Sequence, residues 1–488
     1  MHDTSGILSK KRGAYYTPEA VARALVAWAA PSQSDRLIDP ACGDGVFIAV
    51  HPNSVGVERF SPAAAVARQK APGAIVHEAD FFSWAAETHE RFDAAVGNPP
   101  FIRYQLFSGE QRRKALAWCK TQGANFSGLT SSWAPFIVAA SALLHRGGRI
   151  AFVVPAEIGH APYARPLLDY LVGHFTWVQV ISIREKLFPD LSEDCWLLYC
   201  EGFGGISRGI AFTKLQQFEF TSIPPTDGEW ISIRDWKLAF GGRLRPFLLN
   251  RTIRGFYSDI AADRKTVLLS QLAKVGIGYV SGDNDFFHLR PSQALELGIQ
   301  RQFLVPTVRN VKAVTGGEVT KKSVQLWEKE DQQYLLLRIR KDASLSHEVK
   351  RYLESEKGHV VRQGYKCRTR EPWYSVPDVQ IPDFFLSYMS GDRASLIRNN
   401  AACTAPNTLH VVQAKNKQSA VAIRHGWHAP LTQLSCEIEG HPLGGGMLKL
   451  EVKEAERVLL TGRVFSKADE RLLAEGAFEM KRWRHYAS

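Results

Sequence analysis

The chain has 488 residues and is poor in sulfur, with seven cysteines and four methionines. The cysteines (42, 119, 195, 200, 367, 403 and 436) are odd in number and scattered, with no CxxC pair and no Cys/His cluster at zinc spacing. That pattern excludes a disulfide framework and gives no metal site, so reduced thiols in a cytoplasmic protein are expected. No run of about 18 apolar residues occurs, so no membrane-spanning helix is expected. Residues 1–12 lack an apolar core, so no secretory signal is expected there. A P-loop is excluded, because no Gly-Lys-Ser/Thr follows a strand-like run, and the six-residue glycine fingerprint of dinucleotide enzymes is missing too.

What is present is ordinary globular material, 45% hydrophobic and 23% charged, long enough for two or three domains. Its charge is uneven. Residues 1–230 carry 21 Lys and Arg against 22 Asp and Glu, whereas residues 231–488 carry 40 against 27. A basic second half suits a polyanionic partner.

Residues 14–201 alternate short apolar runs with helical stripes. Strands are expected at 37–39, 55–58, 75–78, 94–97, 149–155, 177–183 and 195–201, the last as an antiparallel edge. Helices are expected at 62–70, 133–145 and 163–174, and one begins with Thr17 as N-cap and Pro18 at N1. This rhythm predicts an α/β fold with a mostly parallel sheet. It fades over 202–230, where Gly-Gly and Pro-Pro pairs fall. A linker is placed at 216–240, with a separate irregular α+β domain beyond it, expected in two lobes and helical at 341–357 and 449–456.

Two motifs carry chemistry. Asp39-Pro40-Ala41-Cys42-Gly43-Asp44-Gly45 leaves a strand and enters a helix, and its glycines let the backbone approach a ligand. Glu58 ends the next strand, where a doubly wound sheet places a ribose-binding carboxylate. Asp80 follows the third strand and either accepts from an adenine amino group or caps Phe81-Phe82-Ser83. The loop suits a nucleoside with a small charged tail, such as S-adenosylmethionine. Cys42 reads as a small residue in a tight turn.

The second motif is Asn98-Pro99-Pro100-Phe101. An exocyclic amine on an aromatic ring is a poor nucleophile because its lone pair is delocalised. Two acceptors on its N–H bonds, the Asn98 side-chain oxygen and the Pro99 carbonyl, draw that pair out. Consecutive prolines stiffen the turn and remove two donors. Phe101 offers a ring for stacking a flat substrate.

Taken in order, Gly13-Ala14-Tyr15-Tyr16-Thr17-Pro18, the Asp39 loop, Glu58, Asp80 and Asn98-Pro99-Pro100-Phe101 resemble the gamma-class adenine-N6 DNA methyltransferases over roughly residues 11–201. The resemblance implies a seven-stranded methyltransferase sheet in residues 1–215 and a DNA target-recognition domain in 241–488. It implies S-adenosylmethionine as cofactor, no metal, and methylation of an adenine flipped from duplex DNA. By position it assigns Tyr16, Thr17, Asp39, Ala41, Cys42, Gly43, Glu58, Asp80, Phe81, Asn98 and Phe136 to the cofactor. Asn98, Pro99, Pro100 and Phe101 become catalytic, and Phe188, in Leu187-Phe188-Pro189, stacks on the target base with Phe101. In the second half, residues 276–284 and 367–374 resemble stretches of target-recognition domains. Arg362, Lys366, Arg368, Arg370, Trp373 and Tyr374 interleave cations with aromatics and are the expected DNA contacts.

Rival substrates for the same frame are RNA bases and a protein glutamine amide. Asn98 counts against cytosine-N4 transfer, where Ser usually stands. A fused nuclease is not expected: the motifs start near Lys11, and Glu348-Val349-Lys350 and Glu451-Val452-Lys453 lack a spaced Pro-Asp partner. A DNA-binding protein without catalysis fits poorly with so complete a motif set. A monomer is expected, and a separately encoded restriction endonuclease is left open as partner.

Overall fold

Leu37–Asp39 (β1) is three residues long and wholly buried. Such short, continuously apolar runs become strands covered on both faces. Ser54–Glu58 (β2), Ile75–Glu78 (β3), Phe92–Gly97 (β4), Leu144–Pro155 (β5), Phe175–Ile183 (β6), Cys195–Phe203 (β7), Gly209–Leu215 (β8) and Glu229–Ser232 (β9) complete one sheet. Its order is β3-β2-β1-β4-β5-β7-β6-β8-β9. The computed structural model describes residues 17–189, 191, 193–309, 314 and 316–486.

The first seven strands of that order are parallel apart from β7, which runs antiparallel to β5 and β6. Two further strands extend the expected seven. β8 lies parallel to β6, and β9 antiparallel to β8. β9 falls inside the stretch expected to be a linker, because its backbone pairs with β8 and Ile231 is buried. The first compact unit accordingly runs to Leu248 and the second from Leu249.

Helices Glu19–Ala29 (α1), Ser61–Lys70 (α2), Phe81–Glu87 (α3), Gly109–Thr121 (α4), Trp133–Ser141 (α5) and Ala164–His174 (α6) alternate with the strands. Val21, Ala22, Leu25, Val26, Trp28 and Ala29 form the buried stripe of α1. Pro18, not Thr17, takes the N-cap place of this helix. α5 stops at Ser141 instead of reaching residue 145, because Leu144 already pairs with Phe92 of β4. β1 feeds outward to β2 and β3, whereas β4 lies on its other side. The crevice at such a switch point opens at the carboxyl ends of β1 and β4.

The second unit is built on a five-stranded sheet in the order Ala273–Ile277, Leu409–Ala414, Phe384–Ser387, Leu396–Asn399, Glu318–Val319. Side chains alternate across it, as the pleat requires. Phe385, Ile397 and Val411 join one core with Phe286, Leu336 and Val349. Phe384, Leu386, Leu396 and Val412 join another with Trp427 and Leu460. The two expected lobes are thus two cores sharing one sheet. The helix expected at 341–357 is two shorter ones, His347–Leu353 and Glu356–Gln363, each capped by a serine (Ser346, Ser355). Residues 449–456 split into the end of a strand, Met447–Lys449, and a helix, Val452–Glu456. Among the described residues no helix is long and apolar enough to cross a membrane.

Candidate functional site

β1 and β4 are neighbours, so the glycine loop and the Asn98 turn leave the sheet side by side. They come close at Gly97, where an added Cβ would lie 2.7 Å from Asp39 Oδ1. Any larger residue at 97 would push the two motifs apart.

Asp39 is 1% exposed. Its Oδ1 accepts from the Ala41 N–H at 3.1 Å, while Oδ2 is buried with no partner among the described residues. Burial, above all, raises its pKa to about 8, opposed by the Ala41 hydrogen bond and reinforced by Glu58 and Asp44. Glu58, at the end of β2, accepts from the Gly43 N–H at 3.0 Å and from the Phe60 N–H at 2.7 Å. It therefore holds the glycine loop in shape. Gly43 has a φ of +53° and open space where a side chain would be, so this part of the loop offers bare backbone. The Cys42 side chain packs under β2 instead: a Cβ on Gly56 would meet its Sγ at 2.7 Å. Burial pushes its thiol pKa up, which suits a packing residue and not a nucleophile.

Asp80 does cap α3, accepting from the Ser83 N–H at 3.1 Å through Oδ1. Its Oδ2 accepts from Gln111 of α4 at 2.8 Å. Phe81 and Phe136 are both buried and stack on one another, with centroids 5.5 Å apart and planes 11° from parallel. Rings so close leave no slot between them for a flat ligand. Tyr16 lies outside the described residues.

The Asn98 turn is braced on two sides. The Asn98 amide donates to the Thr17 hydroxyl at 3.2 Å, which orients it. Thr17 thus serves the turn and not the helix that follows it. Ser132 grips the far side. Its hydroxyl donates to the Pro100 carbonyl and accepts from the Ile102 N–H at 2.9 Å, and its own N–H donates to the Ile102 carbonyl at 3.0 Å. None of these bonds uses the Pro99 carbonyl. Phe101 is half-buried and packs against the core cluster that contains Phe188, itself buried. Ser132 and Gln111 were missed from the sequence. Ser132 left a faint signal as a serine directly before an apolar helix; Gln111 left none.

In the second unit the two singled-out stretches meet. Arg370 donates to the Ser281 carbonyl at 2.6 Å and to the Val280 carbonyl at 2.5 Å. A Cβ on Gly282 would touch Cys367 Sγ at 2.6 Å. Trp373 packs on Phe286, Phe287 and Tyr374 at 5.9, 6.4 and 5.9 Å. Arg370, Trp373 and Tyr374 are therefore engaged within the unit, because the loop needs donors for its carbonyls and cover for its aromatic core. Arg362, Lys366 and Arg368 remain exposed. Tyr365 is 65% exposed among them. The Lys366 ammonium and the Arg368 guanidinium each lie 5.6 Å from its ring centre.

The chain matches three family models: N-6 DNA methylase over residues 3–61, Eco57I restriction-modification methylase over 64–188, and the C-terminal domain of type II methyltransferase M.Eco57I over 243–483. The type II methyltransferase M.AccI of Acinetobacter calcoaceticus is 20% identical over 474 residues, covering 92% of this chain and 85% of that protein. M.XamI of Xanthomonas campestris pv. amaranthicola is 24% identical over 484 residues, covering 94% and 86%. M.TthHB8I of Thermus thermophilus is 31% identical over 157 residues, 30% of this chain and 35% of that one. A nuclease-deletion mutant of the Type ISP restriction-modification enzyme LlaGI, solved with a DNA substrate mimic, has a TM-score of 0.52 at 12% identity. That likeness covers 95% of this chain and 46% of the solved one, and it speaks to fold alone.

Proposed function

Because the chain belongs to the N6-adenine DNA methyltransferases of restriction–modification systems, we propose that it moves a methyl group from S-adenosylmethionine to the N6 of an adenine rotated out of duplex DNA. The observation that carries this reading is the contact of the two motifs at Gly97 and Asp39. One crevice then offers bare backbone and carboxylates beside a stiff pair of acceptors.

The residues present fit the cofactor. The backbone at Ala41 and Gly43 would line it, with Thr17 near its amino-acid end. Glu58 would accept from ribose hydroxyls with the lone pairs its backbone bonds leave. Asp80, with Phe81 and Phe136 behind it, would face the adenine. Asp39 Oδ2, without a partner among the described residues, suits a ligand bearing a cation. When bound, the cofactor supplies an electrophilic methyl on a sulfonium.

The rest falls to the protein. A paired adenine hides its N6, so the base must leave the stack, at a cost of a few kcal/mol. Stacking on Phe101 and Phe188 offsets roughly 1–3 kcal/mol of that. Asn98 and the Pro99 carbonyl accept from the two N6–H bonds and localise the lone pair. No strong base is required, since the N6 proton becomes acidic as the new bond forms. Orientation and fixed dipoles do the work.

The second unit would hold the DNA. Arg362, Lys366 and Arg368 fit phosphates, and Tyr365 offers a ring to a base or sugar. A monomer working in the cytoplasm beside a separately encoded endonuclease completes the proposal.

Asn98→Ala tests it. Purified protein is incubated with genomic DNA from a strain lacking adenine methylation, and N6-methyladenine is quantified. The wild type should form it; the variant should lose at least about 100-fold in rate while cofactor binding, followed by calorimetry, stays within a few-fold. Normal turnover by N98A would remove Asn98 from the chemistry.

A further inference from the structure

We propose that Ser132 is a positioning residue that sets the Pro99 carbonyl and the Phe101 ring for transfer. This rests on the functional reading above and assigns a part to a side chain outside the recognised motifs.

Ser132 stands at the N-cap of α5, where a serine normally accepts from an N–H of its own helix. Here its side chain makes no such bond. The hydroxyl is directed instead to the Asn98 turn, donating to the Pro100 carbonyl and accepting from the Ile102 N–H at 2.9 Å. The Ser132 N–H also donates to the Ile102 carbonyl at 3.0 Å. One residue, 1% exposed, thus holds the backbone on both sides of Phe101.

The torsions explain the consequence. Ring closure fixes φ at Pro99 and Pro100. ψ of Pro99 is narrowed because another proline follows it. ψ of Pro100 is then the remaining soft torsion before Phe101, and a hydrogen bond on the Pro100 carbonyl restrains it. With that torsion held, the peptide plane carrying the Pro99 carbonyl and the Cα of Phe101 keep a constant relation. Both acceptor and stacking ring must be placed to within a fraction of an ångström for in-line attack.

The helix start that supplies Ser132 is itself anchored. Trp133 Nε1 donates to the Tyr163 hydroxyl at 3.0 Å, and that hydroxyl donates to Glu157. Glu157 lies in the short 3-10 turn Ala156–Gly159 directly after β5, and β5 is the parallel neighbour of β4. The brace is therefore tied back to the carboxyl end of the sheet, from which the turn emerges.

The experiment compares wild type, Ser132→Ala and Ser132→Cys. Single-turnover formation of N6-methyladenine on unmethylated genomic DNA is measured beside calorimetric cofactor affinity and thermal midpoint. S132A should lose at least tenfold in turnover with cofactor affinity within twofold of wild type. S132C, close in shape but a weak hydrogen-bonding group, should fall between the two. Turnover in S132A within twofold of wild type overturns the proposal and leaves the functional reading intact. A parallel loss of cofactor affinity and turnover also overturns it, since the role would then be structural. No N6-methyladenine from the wild type would overturn the functional reading itself, and this inference with it.

Discussion

Asp39 of the first unit and Glu437 of the second are both buried carboxylates, yet their surroundings differ. Glu437 is matched: the Arg484 guanidinium reaches its two oxygens at 2.9 and 2.7 Å, and Arg484 also donates to the Gly391 carbonyl at 2.7 Å. Asp39 has one oxygen bonded to a backbone N–H and the other with no partner in the described residues. A matched buried ion holds structure, although its net contribution is modest. A buried oxygen without a partner costs stability and persists where something else needs it. The cationic residues divide along the same line. Arg370 is engaged by carbonyls inside its unit, whereas Arg362, Lys366 and Arg368 face solvent.

The largest effect should come from breaking the matched pair. Arg484→Ala strands Glu437 in the interior and should cost roughly 3–5 kcal/mol, read as an earlier urea midpoint. An unchanged midpoint would mean the pair holds nothing.

Asp39→Asn should act in the opposite direction. The folded pKa is raised from 3.8 to about 8. Between those values the unfolded chain is ionised while the folded chain keeps the proton, so rising pH destabilises the folded state through that window and then levels off. The asparagine variant lacks this term. Its stability advantage over the ligand-free wild type should grow from about pH 4 to 8, while its cofactor affinity falls. Parallel pH profiles for the two proteins would refute the assignment.

A smaller change is expected from Arg362→Ala: DNA affinity several-fold weaker at low salt, a salt slope reduced by about one, and an unaltered melting temperature. A melting shift without a slope change would move Arg362 to the structural class. Smallest of all, Cys42→Ala should keep turnover within about threefold, since its thiol only fills space against Gly56. Loss of the reaction would make the thiol a participant.

Much of the first unit was readable because its signals are local. Six of the seven expected strands were placed within two residues and the seventh, β5, begins five residues early at Leu144, since apolar runs and their turns reflect neighbours in the chain. β7, expected at the edge, lies instead between β5 and β6, because strand order is nonlocal. Asp39, Glu58 and Asn98 stand at strand ends because a doubly wound sheet puts its loops there. β9 escaped notice because Glu229–Ser232 is a short strand with an exposed Trp230, and its pairing with β8 is a nonlocal matter. Phe81 and Phe136 stack on each other, and Arg370 donates to two carbonyls. These nonlocal partners have no signal in the residue types themselves.

Composition and motif order were enough for the fold class, the basic half and the stiff Asn98-Pro99-Pro100-Phe101 turn, because periodicity, proline stiffness and charge belong to the residues themselves. Which groups meet across 30 or more positions is another matter. The Gly97–Asp39 approach, the Thr17 and Ser132 braces, and the sorting of arginines into anchored and exposed depend on backbone paths converging in space, and no single segment carries that information.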